Sequence, residues 1–197
     1  EREVSGWGWG DVRRKRQAMN FAEAVERARN LYVEQLRGFI SEHKATGKRG
    51  ASEVKLQLPP AKRLFQNITC VDYLENDEDG VIAIDMRADR VLAFEPTLLR
   101  HGDLSVRLSN LRWDDIIIHF DGAAPDLTAW FDCWFDPDEK NFDANAELTG
   151  RIHSLIAEDE HISVDFGSAP VDALFDLLQV MSSAGIKAIT LETTLSA

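Results

Sequence analysis

The chain has 197 residues, of which 44% are hydrophobic and 28% charged, and its formal net charge is −12. That length suits one domain of ordinary size or two small ones, and it buries enough surface to fold without disulfides or structural metals. No apolar run approaches the roughly 20 residues of a membrane-spanning helix, and an acidic field disfavours nucleic acid and anionic membranes as partners.

The charge is unevenly spread. Residues 1–49 carry 11 Lys and Arg against 7 Asp and Glu, whereas residues 114–176 carry 2 bases, Lys140 and Arg151, against 16 acids. Two cysteines, Cys70 and Cys133, form no CxxC pair, and no apolar signal core opens the chain. Together these features predict a soluble, cytoplasmic protein with reduced thiols.

The first stretch, residues 1–18, alternates Gly with Trp7 and Trp9 and ends in the basic run Arg13, Arg14, Lys15, Arg16. It has no periodicity and reads as an arm that folds back or contacts a second copy in a homodimer. Met19 is an alternative chain start. A helix follows, opened by Asn20 with Glu23 three residues on, as in a capping box. Phe21, Val25, Ala28, Tyr32, Leu36, Phe39 and Ile40 recur along it at helical spacing, and Gly47 is a natural stop.

The segment "GKRGAS" reads as a basic loop and lacks the glycine and lysine order of a phosphate-binding loop. Residues 53–108 alternate like strands: "VKLQLPP", then "NITCVDYL" and "VIAIDM" around the turn "ENDEDG", then "RVLAFE" and "LSVRL". Residues 19–110 are thus expected to form a helix plus antiparallel strands.

From residue 111 to 197 the order sharpens. A strand "DDIIIHF", a helix "PDLTAWFDCWFD", a hairpin of "LTGRIHSLIA" and "HISVDFG", a helix "PVDALFDLLQVMSSAG" and a strand "IKAITLET" follow one another. The fold class expected is α+β, with antiparallel sheets. This βαββαβ order is similar to the ferredoxin-like arrangement of two helices on a four-stranded sheet, a superfold that implies no activity.

Within the first of these helices Leu127, Trp130, Phe131, Trp134 and Phe135 form one stripe, so Trp130 and Trp134 are expected to be buried. Asp126, Asp132 and Asp136 fall on the opposite, wet side. Asp136, Asp138 and Glu147 occupy positions 1, 3 and 12 of a calcium loop. Lys140 at position 5 and Asn141 at position 6, where glycine is needed, break that chemistry. Cys133 among aspartates is a poor nucleophile, because neighbouring negative charge disfavours a thiolate.

Two candidate sites emerge. Pairing Ile156 with Ile162 sets His153 across from Asp165 on the face away from the helices, and strand alternation points His119 and Asp121 the same way. Two imidazoles and a carboxylate there suit a divalent metal or general acid–base work. The second candidate is an acidic docking surface of Asp132, Asp136, Asp138 and Glu139. No nucleophile–base motif or cofactor loop is found, and no cofactor is expected. The reading preferred is a non-enzymatic interaction protein that engages a basic protein partner, as an inhibitor or immunity protein would, since complementary charge speeds association. The alternative is a metal-binding protein or enzyme built on the His/Asp cluster.

Overall fold

The computed structural model describes residues 20–194, apart from residues 61, 62, 78, 79, 142 and 144. The basic arm, with Trp7, Trp9 and the proposed homodimer contact through residues 1–18, lies outside the described residues, as does Met19.

Helix α1 spans Phe21–Ala45. The Asn20 side chain accepts the Glu23 amide at 2.8 Å and so satisfies one of the helix's orphan donors. Phe21, Ala24, Val25, Ala28, Tyr32, Val33, Leu36 and Ile40 form its buried stripe. Gly47, with φ 76°, carries the chain out of the helix in a conformation that only glycine adopts without strain.

A three-stranded antiparallel sheet follows, with β1 (Arg49–Gln57), β2 (Ile68–Asp77) and β3 (Gly80–Ile84) in the order β1-β2-β3. The loop expected at "GKRGAS" is shorter than its composition suggests, since Arg49 and Gly50 already pair with Asn76 and Glu75. A side chain at Gly50 would meet the Tyr73 ring at 2.5 Å, so this position stays bare for packing reasons.

Strands β4 (Leu92–His101), β5 (Leu104–Leu111), β6 (Ile116–Phe120), β7 (Ser154–Ala157), β8 (His161–Asp165) and β9 (Ala188–Glu192) build a second sheet in the order β4-β5-β9-β6-β8-β7. Only β5 and β9 run parallel. β4 and β5, from the stretch read as N-terminal, therefore share one sheet with the C-terminal strands. The architecture is mixed α+β with antiparallel and mixed sheets.

Helices α2 (Thr128–Trp134) and α3 (Asp172–Ser183) pack on each other, and the Trp130 indole donates to the Ala173 carbonyl at 2.9 Å. One continuous core unites α1, α2, α3 and the buried face of the six-stranded sheet, and Cys70 of β2 joins it. Trp113, Phe131, Phe135 and Phe166 are among its largest fully buried members. Trp130 is buried as expected, but Trp134 is only partly buried. The helix stops at Trp134, so this ring lies over the core's edge while Phe135 takes the interior position.

The hairpin register also departs from expectation. Ser154 pairs with Asp165 and Leu155 with Val164, one residue away from the Ile156–Ile162 pairing. A one-residue slip exchanges the two faces. Leu155 is fully buried, and Ser154 and Ile156 are left partly exposed. The physical reason is that Leu155 and Ile156 are adjacent apolar residues, so hydrophobic pattern alone fits either register. The backbone decides: the His153 amide donates to Asp165 O at 2.8 Å on one side, while Cys70 N donates to His153 O at 2.7 Å on the other.

Candidate functional site

His153 lies just before β7, where β2 runs along the outer side of the six-stranded sheet. Its side chain is buried and held between two carboxylates. Nε2 lies 2.9 Å from Glu53 Oε1 on β1, and Nδ1 lies 3.0 Å from Asp72 Oδ1 on β2. Each acid is then saturated by other donors. Glu53 accepts the Thr149 amide at 2.6 Å and the Ser168 hydroxyl. Asp72 accepts the Met86 amide at 2.7 Å and the Tyr32 hydroxyl at 3.3 Å.

Two backbone features make room for this cluster. Glu53 stands in mid-strand with φ 50°, a left-handed geometry that costs a side-chain-bearing residue about 1–3 kcal/mol. The kink lets a residue of a polar, alternating strand turn its carboxylate inward. Gly167, with φ 46°, passes so close that a Cβ there would collide with the His153 ring. Glycine is required there by both conformation and space.

The electrostatics follow from the geometry. Burial opposes charge on His153, but Cys70, Asp72 and Glu53 around the ring outweigh it and hold the imidazole's pKa well above its ordinary value. Burial pushes the Glu53 carboxyl up, yet the bonds from His153, Ser168 and Thr149 bring it below the ordinary value. Burial raises the Tyr32 hydroxyl well above 10, reinforced by Asp165 and Asp72, and it also raises the Cys70 thiol. Asp165, whose Oδ1 accepts Gly167 N at 2.8 Å, is pushed up to about 7. Desolvation is the main cause, opposed by His153 and aided by Asp72 and Asp114.

An imidazolium that donates from both nitrogens has no lone pair with which to act as a base. Ser168 donates to Glu53, not to His153, so His153 does not activate that hydroxyl as a nucleophile. The cluster clamps the three-stranded sheet to the edge of the larger one.

His119 is elsewhere. It pairs across strands with His161, their rings 5.7 Å apart, and Nε2 lies 2.8 Å from Glu192 Oε1. His161 and Asp165 stand at opposite ends of β8, so the structure brings His153 and Asp165 together and leaves His119 and Asp121 roughly 13 Å away along the strand. Among the described residues no three His, Cys, Asp or Glu side chains are placed to hold a metal ion together.

The acidic residues at the exit of α2 divide. Asp132, Asp138 and Glu139 are exposed, and Asp132 accepts from Gln66 Nε2 at 3.3 Å. Asp136 is buried, contrary to its expected place on the wet face. The chain leaves helical geometry there at φ 54°, and the carboxylate turns inward to accept the amides of Lys140 and Asn141 at 3.0 and 2.9 Å. Arg151 lies 3.4 Å from the same carboxylate. These interactions hold the Asp136 carboxyl below its ordinary value although burial raises it. Glu147, assigned to the last calcium-loop position, pairs instead with Arg37 at 3.0 Å.

Sequence reading missed Glu53, Asp72, Tyr32 and Ser168. Asp72 carried a signal, a lone acid within the apolar run "TCVDYL". Glu53 carried none, because the alternation Glu53, Lys55, Gln57 is that of a solvated strand face. Comparison with family models, with curated proteins and with solved structures finds no match for this chain.

Proposed function

We propose that this is a non-enzymatic interaction protein that receives a basic protein surface at the exit of α2. The observation that carries the reading is a polar groove there, which Asp132, Asp136 and Asp138 line together with one cation, Lys140. That lysine is already engaged by Asp138 at 2.9 Å. Asp132 and Asp138 stand exposed at the groove, and Asp136 lies buried within it. An arginine or lysine side chain of a partner would meet Asp132, which no cation pairs with among the described residues, and would compete with Lys140 for Asp138.

We also read β6–α2–β7–β8–α3–β9 as a ferredoxin-like unit. The order β9-β6-β8-β7 with wholly antiparallel pairing supports it. The setting proposed is cytoplasmic, in keeping with the free thiols of Cys70 and Cys133. No described helix is long and apolar enough to cross a membrane.

The test uses an arginine–glycine repeat peptide as the basic probe, with binding followed at rising salt. Affinity should fall steeply between low and physiological ionic strength, because exposed attraction is screened over roughly 8–10 Å. Reversing the charges of Asp132, Asp138 and Glu139 should abolish binding while leaving thermal unfolding nearly unchanged. Binding indifferent to salt and to the triple reversal would sink the proposal. Asp136 is left intact, since its replacement would break the loop itself.

A further inference from the structure

On the open face of the larger sheet a second groove, of about 570 Å³, crosses β5, β9 and β6. That size is in the range of small-molecule sites. Its walls carry opposite charges. Arg107, on β5, forms one wall beside Ser105 and the exposed Leu98. Asp121, just after β6, and Glu160, just before β8, form the other, held together by the bond from Phe120 N to Glu160 O at 3.3 Å. The floor between them carries Thr190 and His119, and the imidazole of His119 is occupied by Glu192.

Arg107, Asp121 and Glu160 are all exposed, and none forms a hydrogen bond or ion pair with its side chain among the described residues. β9 separates Arg107 from Asp121 by two strand spacings, roughly 10 Å between backbones, with Asp121 level with Ser105, and Glu160 lies on the far side of β6. The groove thus sets opposite charges on two sides of a floor that offers a hydroxyl. A simple anion would be drawn to Arg107 but repelled by Asp121 and Glu160, and a simple cation would meet the reverse.

We propose that this groove binds a short zwitterion of free-peptide type, its carboxylate on Arg107 and its ammonium on Asp121 and Glu160. An extended chain covers about 3.3–3.6 Å per residue, so a tripeptide spans the gap. The guanidinium fork matches a carboxylate in two-bond geometry, and the acid pair receives the three donors of an ammonium. This site is separate from the acidic groove at α2.

The experiment titrates the full chain with trialanine, followed by calorimetry and amide chemical shifts. Saturable binding is expected with Kd about 1 mM, the range open to a small ligand held by exposed ion pairs. Arg107→Gln should weaken trialanine about two- to fivefold, and trialanine amide should bind the wild type as weakly as trialanine binds the variant. Asp121→Asn should weaken trialanine but not its N-acetyl form. Both side chains are exposed and unpaired, so neither substitution should move the thermal midpoint. The triple charge reversal at α2 should leave trialanine binding intact, which separates the two sites. No saturable binding up to about 10 mM, unchanged affinity in Arg107→Gln, or equal binding of free acid and amide would each overturn the proposal.

Discussion

His119 lies on β6 and His153 just before β7, two strands of one sheet with β8 between them, and both contact a carboxylate at hydrogen-bond distance, yet they belong to different physical worlds. His119 lies on the open face, where it and Glu192 are each close to half exposed. Water competes for that pair, and its net contribution is small. His153 is 1% exposed between Glu53 at 0% and Asp72 at 7%. With no water to fall back on, the three groups depend on one another for the hydration that folding removed. A short ion-pair distance therefore says little about energy until burial is known.

The comparison breaks most directly at His153 itself. His153→Leu keeps much of the side-chain volume but strands two buried carboxylates, so a loss of about 3–5 kcal/mol is expected in urea unfolding. A loss below about 1 kcal/mol would show that the acids simply take up protons at little cost. Replacing Glu53, Asp72 and His153 together with apolar residues should recover much of that loss, since a buried ion cluster is costly to break but not costly to replace.

Gly167→Ala probes the same cluster without touching a charge. The positive φ and the clash with the His153 ring should cost about 1–3 kcal/mol, with the ring pushed off its carboxylates. A variant as stable as the wild type, with an unchanged His153 proton resonance, would show that the ring has room to move.

The pH dependence sharpens the contrast. The Asp165 carboxyl is held at about 7, above its ordinary unfolded value near 4. Between those values the folded protein retains a proton that the unfolded chain releases, so stability should decline as pH rises from about 4 to 7. His153 acts in the same direction at higher pH. Its raised pKa makes its contribution complete below about 6.5, and that contribution is lost as pH climbs through the folded value. Glu53, with a lowered pKa, is weakened only on acidification. Asp165→Asn should flatten the slope between pH 4 and 7 in denaturation midpoints taken across that range. A slope equal to the wild type's would assign the effect to other groups.

The smallest effect is expected at the open-face pair. His119→Ala should change stability by less than about 1 kcal/mol, with any change fading in high salt. A loss matching that of His153→Leu would erase the distinction between the two histidines.

Much of the fold was legible in local pattern. The stripe of α1 from Phe21 to Ile40, the Asn20 cap, and the order of strands and helices after Trp113 all follow from short-range rules of spacing and capping. The alternation of β6 correctly sent Ile116, Ile118 and Phe120 inward and His119 outward. Such features depend on residues within one or two turns of each other, so the sequence determined them by itself.

The buried cluster did not depend on neighbours in that sense. Glu53 and His153 are 100 residues apart, Glu53 and Ser168 are 115, and Tyr32 and Asp72 are 40. No period of 2 or 3.6 relates such positions. The register of β7 on β8 was likewise ambiguous locally, because Leu155 and Ile156 could each fill the core. Asp136 looked solvent-facing by helical projection, but it lies beyond the last helical turn, where its own backbone geometry redirects it. Tertiary structure decided these three matters for one reason. Where a polar group goes depends on which distant donors can replace its water, and that set exists only once the sheets have come together.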